Sequence, residues 1–130
     1  MISVRDPSKF GNLLGVIFTE YEGGKSTTEL TIEEKHLNIG GTVHGGVINA
    51  LCDIALSAAV TSAFKDKEEV VVTLQMNVNF LRPGTLGDKF IAKAEVIKMG
   101  SKIIYVEGAI RNAQGKLIAK ASGDWYVKSH

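Results

Sequence analysis

Asp53 is the residue that most needs a chemical explanation. Its neighbours Leu51, Cys52, Ile54, Ala55 and Leu56 place it inside the most apolar segment of the chain, where an unpartnered carboxylate would be costly. Stepping by four residues, Asn49, Asp53, Ser57 and Thr61 form a polar stripe that drifts slowly around an otherwise apolar helix. Two readings fit: the stripe is the narrow solvent-exposed edge of that helix, or Asp53 is held there for chemistry.

His44-Gly45-Gly46 immediately precedes the same segment. The free backbone N–H groups of a first helical turn point outward, and two glycines let another group approach closely. This is either an anion or oxyanion site or a loop-to-helix turn that needs glycine for its backbone angles. Asp53 lies nine residues beyond His44, which the helical rise converts into about 13 Å along the axis. One copy's pair therefore cannot act on one carbonyl. If both groups serve one substrate, two such helices must run antiparallel across a two-fold axis, and catalysis would require a dimer.

The elements that must position these groups follow from pattern. Residues 46–62 are mostly Ala, Leu, Ile and Val without proline, which suits a helix that other elements must wrap. Asp6-Pro7 reads as a helix cap followed by proline at the first helical position, with Phe10, Leu13 and Leu14 at helical spacing and Gly15 closing a short N-terminal helix. Segments 16–21 and 25–32 are β-rich and joined by Glu22-Gly23-Gly24, a hairpin signal. The stretch from 33 to 43 has no period and reads as a loop that contains His36.

After the polar turn Lys65-Asp66-Lys67-Glu68, the chain alternates: Val72, Leu74, Met76, Val78 and Phe80 on one face, Thr73, Gln75, Asn77 and Asn79 on the other. Arg82-Pro83-Gly84 ends this strand. Segments 90–99, 103–111 and 117–127 repeat the strand pattern across Gly100-Ser101 and Asn112-Ala113-Gln114-Gly115, so the sheet is antiparallel. Strands of ten residues, about 33 Å long, cover the full length of a seventeen-residue helix of about 26 Å. The expected fold is α+β: one long central helix wrapped by a curved antiparallel sheet, with a short N-terminal helix, in a single domain spanning residues 1–130.

Composition narrows the function classes. Fifteen basic and 14 acidic residues leave a net charge of +1, which gives no general field for nucleic acid or an anionic membrane. Asn49 and Asp53 near the middle of the longest apolar run argue against a bilayer span. One cysteine and three histidines offer no intramolecular disulfide and no cluster at zinc spacing. The N-terminus lacks the apolar core of a signal peptide. A metal-free cytoplasmic protein is expected. Cys52 adjoins Asp53, but adjacent helical residues point about 100° apart, so it reads as packing. His130 reads as part of a frayed tail and Trp125 as core.

The stretch NIGGTVHGGVINALCDIALSAA, residues 38–59, resembles the signature of hotdog-fold acyl-CoA thioesterases of the phenylacetate-degradation type. The family's asparagine, its His-Gly-Gly six residues later and its aspartate nine residues after the histidine stand here as Asn38, His44, Gly45, Gly46 and Asp53. MNVNFLRPG, residues 76–84, resembles the family's following strand and turn.

The resemblance implies hydrolysis of an acyl-CoA thioester without a cofactor. Asp53 would be the catalytic carboxylate, as general base or nucleophile. The Gly45 N–H, helped by Asn38, would polarise the carbonyl, and His44 would position the substrate near its sulfur. It also implies that the carboxylate and the His-Gly-Gly turn come from different subunits of a homodimer, with dimers pairing into a tetramer. Thr73 stands where relatives carry a serine or threonine that can hold the attacking water, although its polar face equally suits solvent or a subunit contact. Coenzyme A phosphates call for basic side chains near the pocket mouth. Arg82, Lys98, Lys102 and Arg111 are candidates beside strand ends, and Arg82 is favoured by its place in the resembling stretch. Two other classes fit the same fold: a non-catalytic acyl-CoA-binding or sensing module, and a hydratase or dehydratase, whose own motifs are not visible here. Which acyl group is taken depends on pocket depth.

Overall fold

The computed structural model describes residues 4–64 and 70–128. The polar turn expected at 65–68 and the tail residue His130 lie outside the described residues. In chain order the elements are β1 (Val4–Arg5), α1 (Lys9–Leu14), β2 (Ile17–Glu22), β3 (Lys25–Thr31), a 3-10 turn (Glu34–His36), α2 (Gly45–Ser62), β4 (Val70–Phe80), β5 (Lys89–Met99), β6 (Ile103–Asn112) and β7 (Leu117–Lys128). The seven strands form one antiparallel sheet in the order β1-β2-β3-β5-β6-β7-β4.

α2 lies across one face of this sheet and packs against β2 through β7. The helix is long and apolar enough to cross a membrane, but its apolarity serves the core. Leu51, Ala55, Leu56, Ala59 and Val60 are buried against Phe90, Ile104, Val106, Ile110 and Trp125, an arrangement driven by the removal of apolar surface from water. The hairpin between β2 and β3 closes on Gly23 (φ 58°) and Gly24 (φ 86°), left-handed angles that match the strand twist only in a two-residue turn.

The start of α1 differs from the reading of Asp6-Pro7 as cap and first turn. Ser8 is the cap, its Oγ accepting from the Gly11 N–H at 3.0 Å, and Asp6 instead accepts the Ser8 N–H at 2.8 Å. Serine caps as well as aspartate does, so the helix starts two residues later and Asp6 holds the turn before it.

His36 sits in the loop between β3 and α2, where it ends the 3-10 turn Glu34–His36 and is buried. Its Nδ1 accepts the Glu33 N–H and its Nε2 bonds the Leu14 carbonyl, both at 2.8 Å. The acceptor role of Nδ1 places the proton on Nε2, and the second bond ties the loop before α2 to the end of α1.

β4 departs from the expected alternation. Thr73 pairs with Trp125, but Gln75 pairs with Asp124 and Met76 with Gly123, so β4 holds an extra residue between Thr73 and Gln75. A bulge inverts the side-chain phase. Thr73 consequently shares the helix-facing side with Val71, Met76 and Val78, whereas Gln75, Asn77 and Asn79 face away. Val72 and Leu74 are left 45% and 55% exposed. Gly123 makes room for the bulge, since a Cβ there would collide with the Gln75 carbonyl oxygen and stand 2.9 Å from the Trp125 ring. Gly123→Ala should therefore cost about 1–3 kcal/mol, as overpacking does, and should lower turnover by shifting Thr73. A thermal melt read beside kcat checks both.

Candidate active site

The polar stripe of α2 is bonded to the rest of the fold rather than simply solvated. Thr73 Oγ1 donates to Asp53 Oδ1 at 2.7 Å. One turn further, Trp125 Nε1 donates to Ser57 Oγ at 2.8 Å. One turn beyond that, Thr61 hydrogen-bonds Tyr21, whose hydroxyl burial lifts above its usual 10 while the Thr61 bond pulls the other way. Asn49 alone of the four is exposed. The spacing of four marked the stripe in sequence, but the partners Thr73, Trp125 and Tyr21 are distant in the chain and carry no local signal.

Asp53 is half-buried and lines a cleft of about 360 Å³. Ile54, Ala58, Phe10 and Phe18 give this cleft apolar walls, and Ser57, Thr61, Tyr21 and Asp6 supply its polar groups. A larger depression, of about 430 Å³, opens elsewhere, lined by charged residues such as Lys93, Glu95 and Glu107, and shares no residue with the cleft.

The other end of α2 carries the His-Gly-Gly turn. His44 is the helix cap, with extended backbone (φ −62°, ψ 135°), and its Nδ1 accepts the Gly46 N–H at 2.8 Å. That bond places the proton of a neutral His44 on Nε2 and engages the Gly46 amide. The Gly45 N–H has no hydrogen-bond partner among the described residues, as befits the first residue of a helix. Two backbone bonds fix the turn: His44 N–H to the His36 carbonyl and Val43 N–H to the Gly84 carbonyl, each 2.9 Å. The Phe80 ring lies beside Gly45.

Asn38 organises its own loop. Its Oδ1 accepts the Gly40 and Thr42 N–H groups at 2.9 and 3.1 Å, and its Nδ2 donates to Thr42 Oγ1 at 2.9 Å. One N–H of that amide is left over for another acceptor. Arg82 is exposed just past β4, its backbone N–H bonded to the Ile118 carbonyl at 3.2 Å. The structure thus joins Asp53 with Thr73, and His44 with Gly45 and Gly46, as two groups at separate levels of one helix, with eight residues or about 12 Å of axis between Gly45 and Asp53.

Cys52 is buried, and burial together with the adjacent Asp53 charge pushes its thiol up to about 12. The thiolate is the nucleophilic form, and at pH 8 a group titrating four units higher is ionised in about one molecule in ten thousand. Cys52→Ala should keep full turnover, and an alkylating reagent should leave the native thiol unmodified until the protein is unfolded. Mass analysis of the alkylated protein, native and denatured, checks this.

Comparison with known proteins meets this geometry. Residues 40–119 match the family model of the thioesterase superfamily. The chain is 33% identical to acyl-coenzyme A thioesterase 13 of Homo sapiens over 98 residues, 75% of this chain and 69% of that protein. The structure of the E. coli PaaI protein from the phenylacetic acid degradation operon superposes with a TM-score of 0.88 at 26% identity, covering 95% of this chain and 86% of that one. A hypothetical thioesterase protein of Streptococcus pneumoniae, solved with coenzyme A, superposes with a TM-score of 0.83 at 26% identity, covering 89% and 88%. It has also been solved with an aspartate or a threonine replaced by alanine. The chain belongs to the hotdog-fold thioesterase superfamily, in its PaaI-like branch, and is a thioester hydrolase of the acyl-CoA thioesterase kind.

Proposed function

We propose that the protein hydrolyses an acyl-CoA thioester at a site shared between two copies of the chain, with Asp53 of one copy as general base and the His44-Gly45 turn of the other as electrophilic partner. The observation that carries this reading is the anchored carboxylate. Thr73 spends its one proton on Asp53 Oδ1, so its oxygen keeps lone pairs that accept from a water, and that water can donate its second proton to the carboxylate.

The water adds to the thioester carbonyl as its proton passes to Asp53. The developing oxyanion needs a fixed donor, which the Gly45 N–H, assisted by the spare Asn38 N–H, supplies. Collapse breaks the carbon–sulfur bond, and the leaving thiolate is met by the Nε2–H of His44 and protonated from Asp53. The acyl group occupies the cleft beside Asp53, with Gly46 leaving space for the substrate's approach and Arg82 meeting the phosphates of coenzyme A.

Two features support the two-copy site. The helical rise keeps Gly45 and Asp53 of one chain about 12 Å apart. Among the described residues β4 pairs only with β7 and stands at the sheet edge, with Val70, Val72 and Leu74 exposed. A long apolar edge strand invites pairing with another chain, and β4 meeting β4 across a two-fold axis would bring the two α2 helices antiparallel. A dimer, or a pair of dimers, is the expected state.

Release of free coenzyme A thiol from a panel of aromatic and aliphatic acyl-CoA esters, run with sedimentation of the protein at assay concentration, tests the reading. Turnover by a dimer or larger assembly supports it. No turnover on any ester, or full activity in a monomer, overturns it.

A further inference from the structure

His36 is a buried polar side chain that the hydrolytic steps leave unused. It is 1% exposed, and at that depth both ring nitrogens need partners. They find them in two directions. Nδ1 accepts the Glu33 N–H of its own turn, and Nε2 donates to the Leu14 carbonyl at the end of α1, each at 2.8 Å. A neutral imidazole presents an acceptor and a donor on opposite edges of one rigid ring, whereas a side chain buried for packing alone would be apolar.

The main chain of the same residue reaches the site. The loop after His36 doubles back on itself: the Asn38 N–H bonds the Thr42 carbonyl at 2.7 Å, Leu37 bridges Val43, and the His36 carbonyl accepts the His44 N–H at 2.9 Å. His44 caps α2, and the next amide along is the Gly45 N–H assigned to the oxyanion. One side of the doubled loop is held by the Val43 N–H on the Gly84 carbonyl and by the Thr42–Thr85 bridge. The other side has Leu37 packed partly on the core and two polar ties to α1. These are His36 on Leu14 and Lys35 Nζ on the Leu13 carbonyl at 3.0 Å. Lys35 is exposed, where water competes for its bond, so the buried His36 bond does most of the anchoring.

We infer that His36 is a positioning residue for the reaction: its Nε2 bond to the Leu14 carbonyl fixes the loop whose own carbonyl holds the His44-Gly45 turn, and so aims the Gly45 N–H. The inference rests on the reading that this amide meets the oxyanion. His36 itself touches no reacting atom. Asn38, on the same loop, is held by its own bonds from Gly40 and Thr42, so the effect runs through Gly45.

Two amides separate the two bonds of the ring. Asparagine places its oxygen where Nδ1 stood, keeping the Glu33 bond, but stops short of Leu14. Glutamine carries an N–H out to Leu14 and gives up Glu33. A residue that only braced its own turn would be replaced better by asparagine, and the inference requires the reverse.

The test measures kcat and KM for the parent, His36→Asn and His36→Gln, each with Gly45 and with Gly45→Pro. One ester that the parent turns over is used, below the melting temperature of every variant. His36→Asn should lower kcat about 10-fold with KM unchanged, since a misplacement of about 1 Å already costs about 10²-fold, and His36→Gln should recover most of the loss. With Gly45→Pro there is no amide left to aim, so His36→Asn should cost nothing further, the non-additivity expected of residues that act through one group. A parental kcat in His36→Asn overturns the inference. So does a better result with asparagine than with glutamine, a loss confined to KM, or an equal loss of kcat in both backgrounds, which a general structural role would give. If His36→Asn does not fold, His36→Gln decides: a kcat near the parent's supports the inference, and a loss that persists in Gly45→Pro overturns it. The reading fails separately. No turnover by the parent, or a Gly45→Pro protein as active as the parent, removes it and the inference with it.

Discussion

Replacing Asp53 by asparagine is expected to reduce kcat by about 10²- to 10⁴-fold, the usual contribution of a positioned general base, while acyl-CoA still binds. The amide is nearly isosteric, and its oxygen still accepts from Thr73 Oγ1, the bond that holds Asp53 at 2.7 Å. What it loses is the capacity to take a proton from water. An interaction that operates only in the transition state lowers kcat and kcat/KM together, so KM should be nearly unchanged. Thermal stability should also hold, since the site is half-buried and its hydrogen bond survives. A variant as active as the parent would remove Asp53 from the chemistry.

The second large effect is expected at Gly45. Gly45→Pro deletes a single backbone N–H, the one assigned to the oxyanion, and should cost about 10²- to 10³-fold in kcat, as loss of one oxyanion donor does. The substitution is unusually clean. Gly45 is the first residue of α2, where proline is favoured because the amide has no intrahelical partner. His44 before it already has the extended backbone, φ −62° and ψ 135°, that a residue preceding proline adopts. A Cβ at Gly45 meets the Phe80 ring at an ordinary 3.6 Å. Gly45→Ala, which keeps the N–H, is the control and should retain most of the activity at a similar melting temperature. Equal losses in both variants would point to crowding rather than to the amide.

The sequence made much of this legible because composition and period act locally. The stretch of mostly Ala, Leu, Ile and Val without proline marked α2 to within one residue of Gly45–Ser62, and glycine at 15, 23 and 24 marked the turns around β2. Asp53 stood out because a carboxylate in such a run needs a partner. The partner's orientation was not legible. Strict alternation from Val72 to Phe80 hid the bulge, since Val72 and Leu74 stay apolar while exposed on an edge strand. Only the register against β7, with Gly123 admitting the extra residue, turns Thr73 toward Asp53. His36 escaped for a related reason. Its Leu14 partner is a backbone carbonyl 22 residues away, and backbone groups leave no trace in sequence. Asp6 read as a helix cap because its type allowed that role, although Ser8 holds it.

If each site takes its carboxylate from one copy and its oxyanion donor from the other, two inactive variants should complement each other when mixed. Asp53→Asn and Gly45→Pro subunits, unfolded together in equal amounts and refolded, should form mixed dimers in which one site is intact and the other doubly damaged. Random pairing then restores about a quarter of the parental activity per subunit, where neither variant refolded alone shows more than a trace. A mixture no more active than its components, with exchange of subunits verified by mass, would mean that both groups act from a single chain or that one of them does not act, and would rule out the shared site.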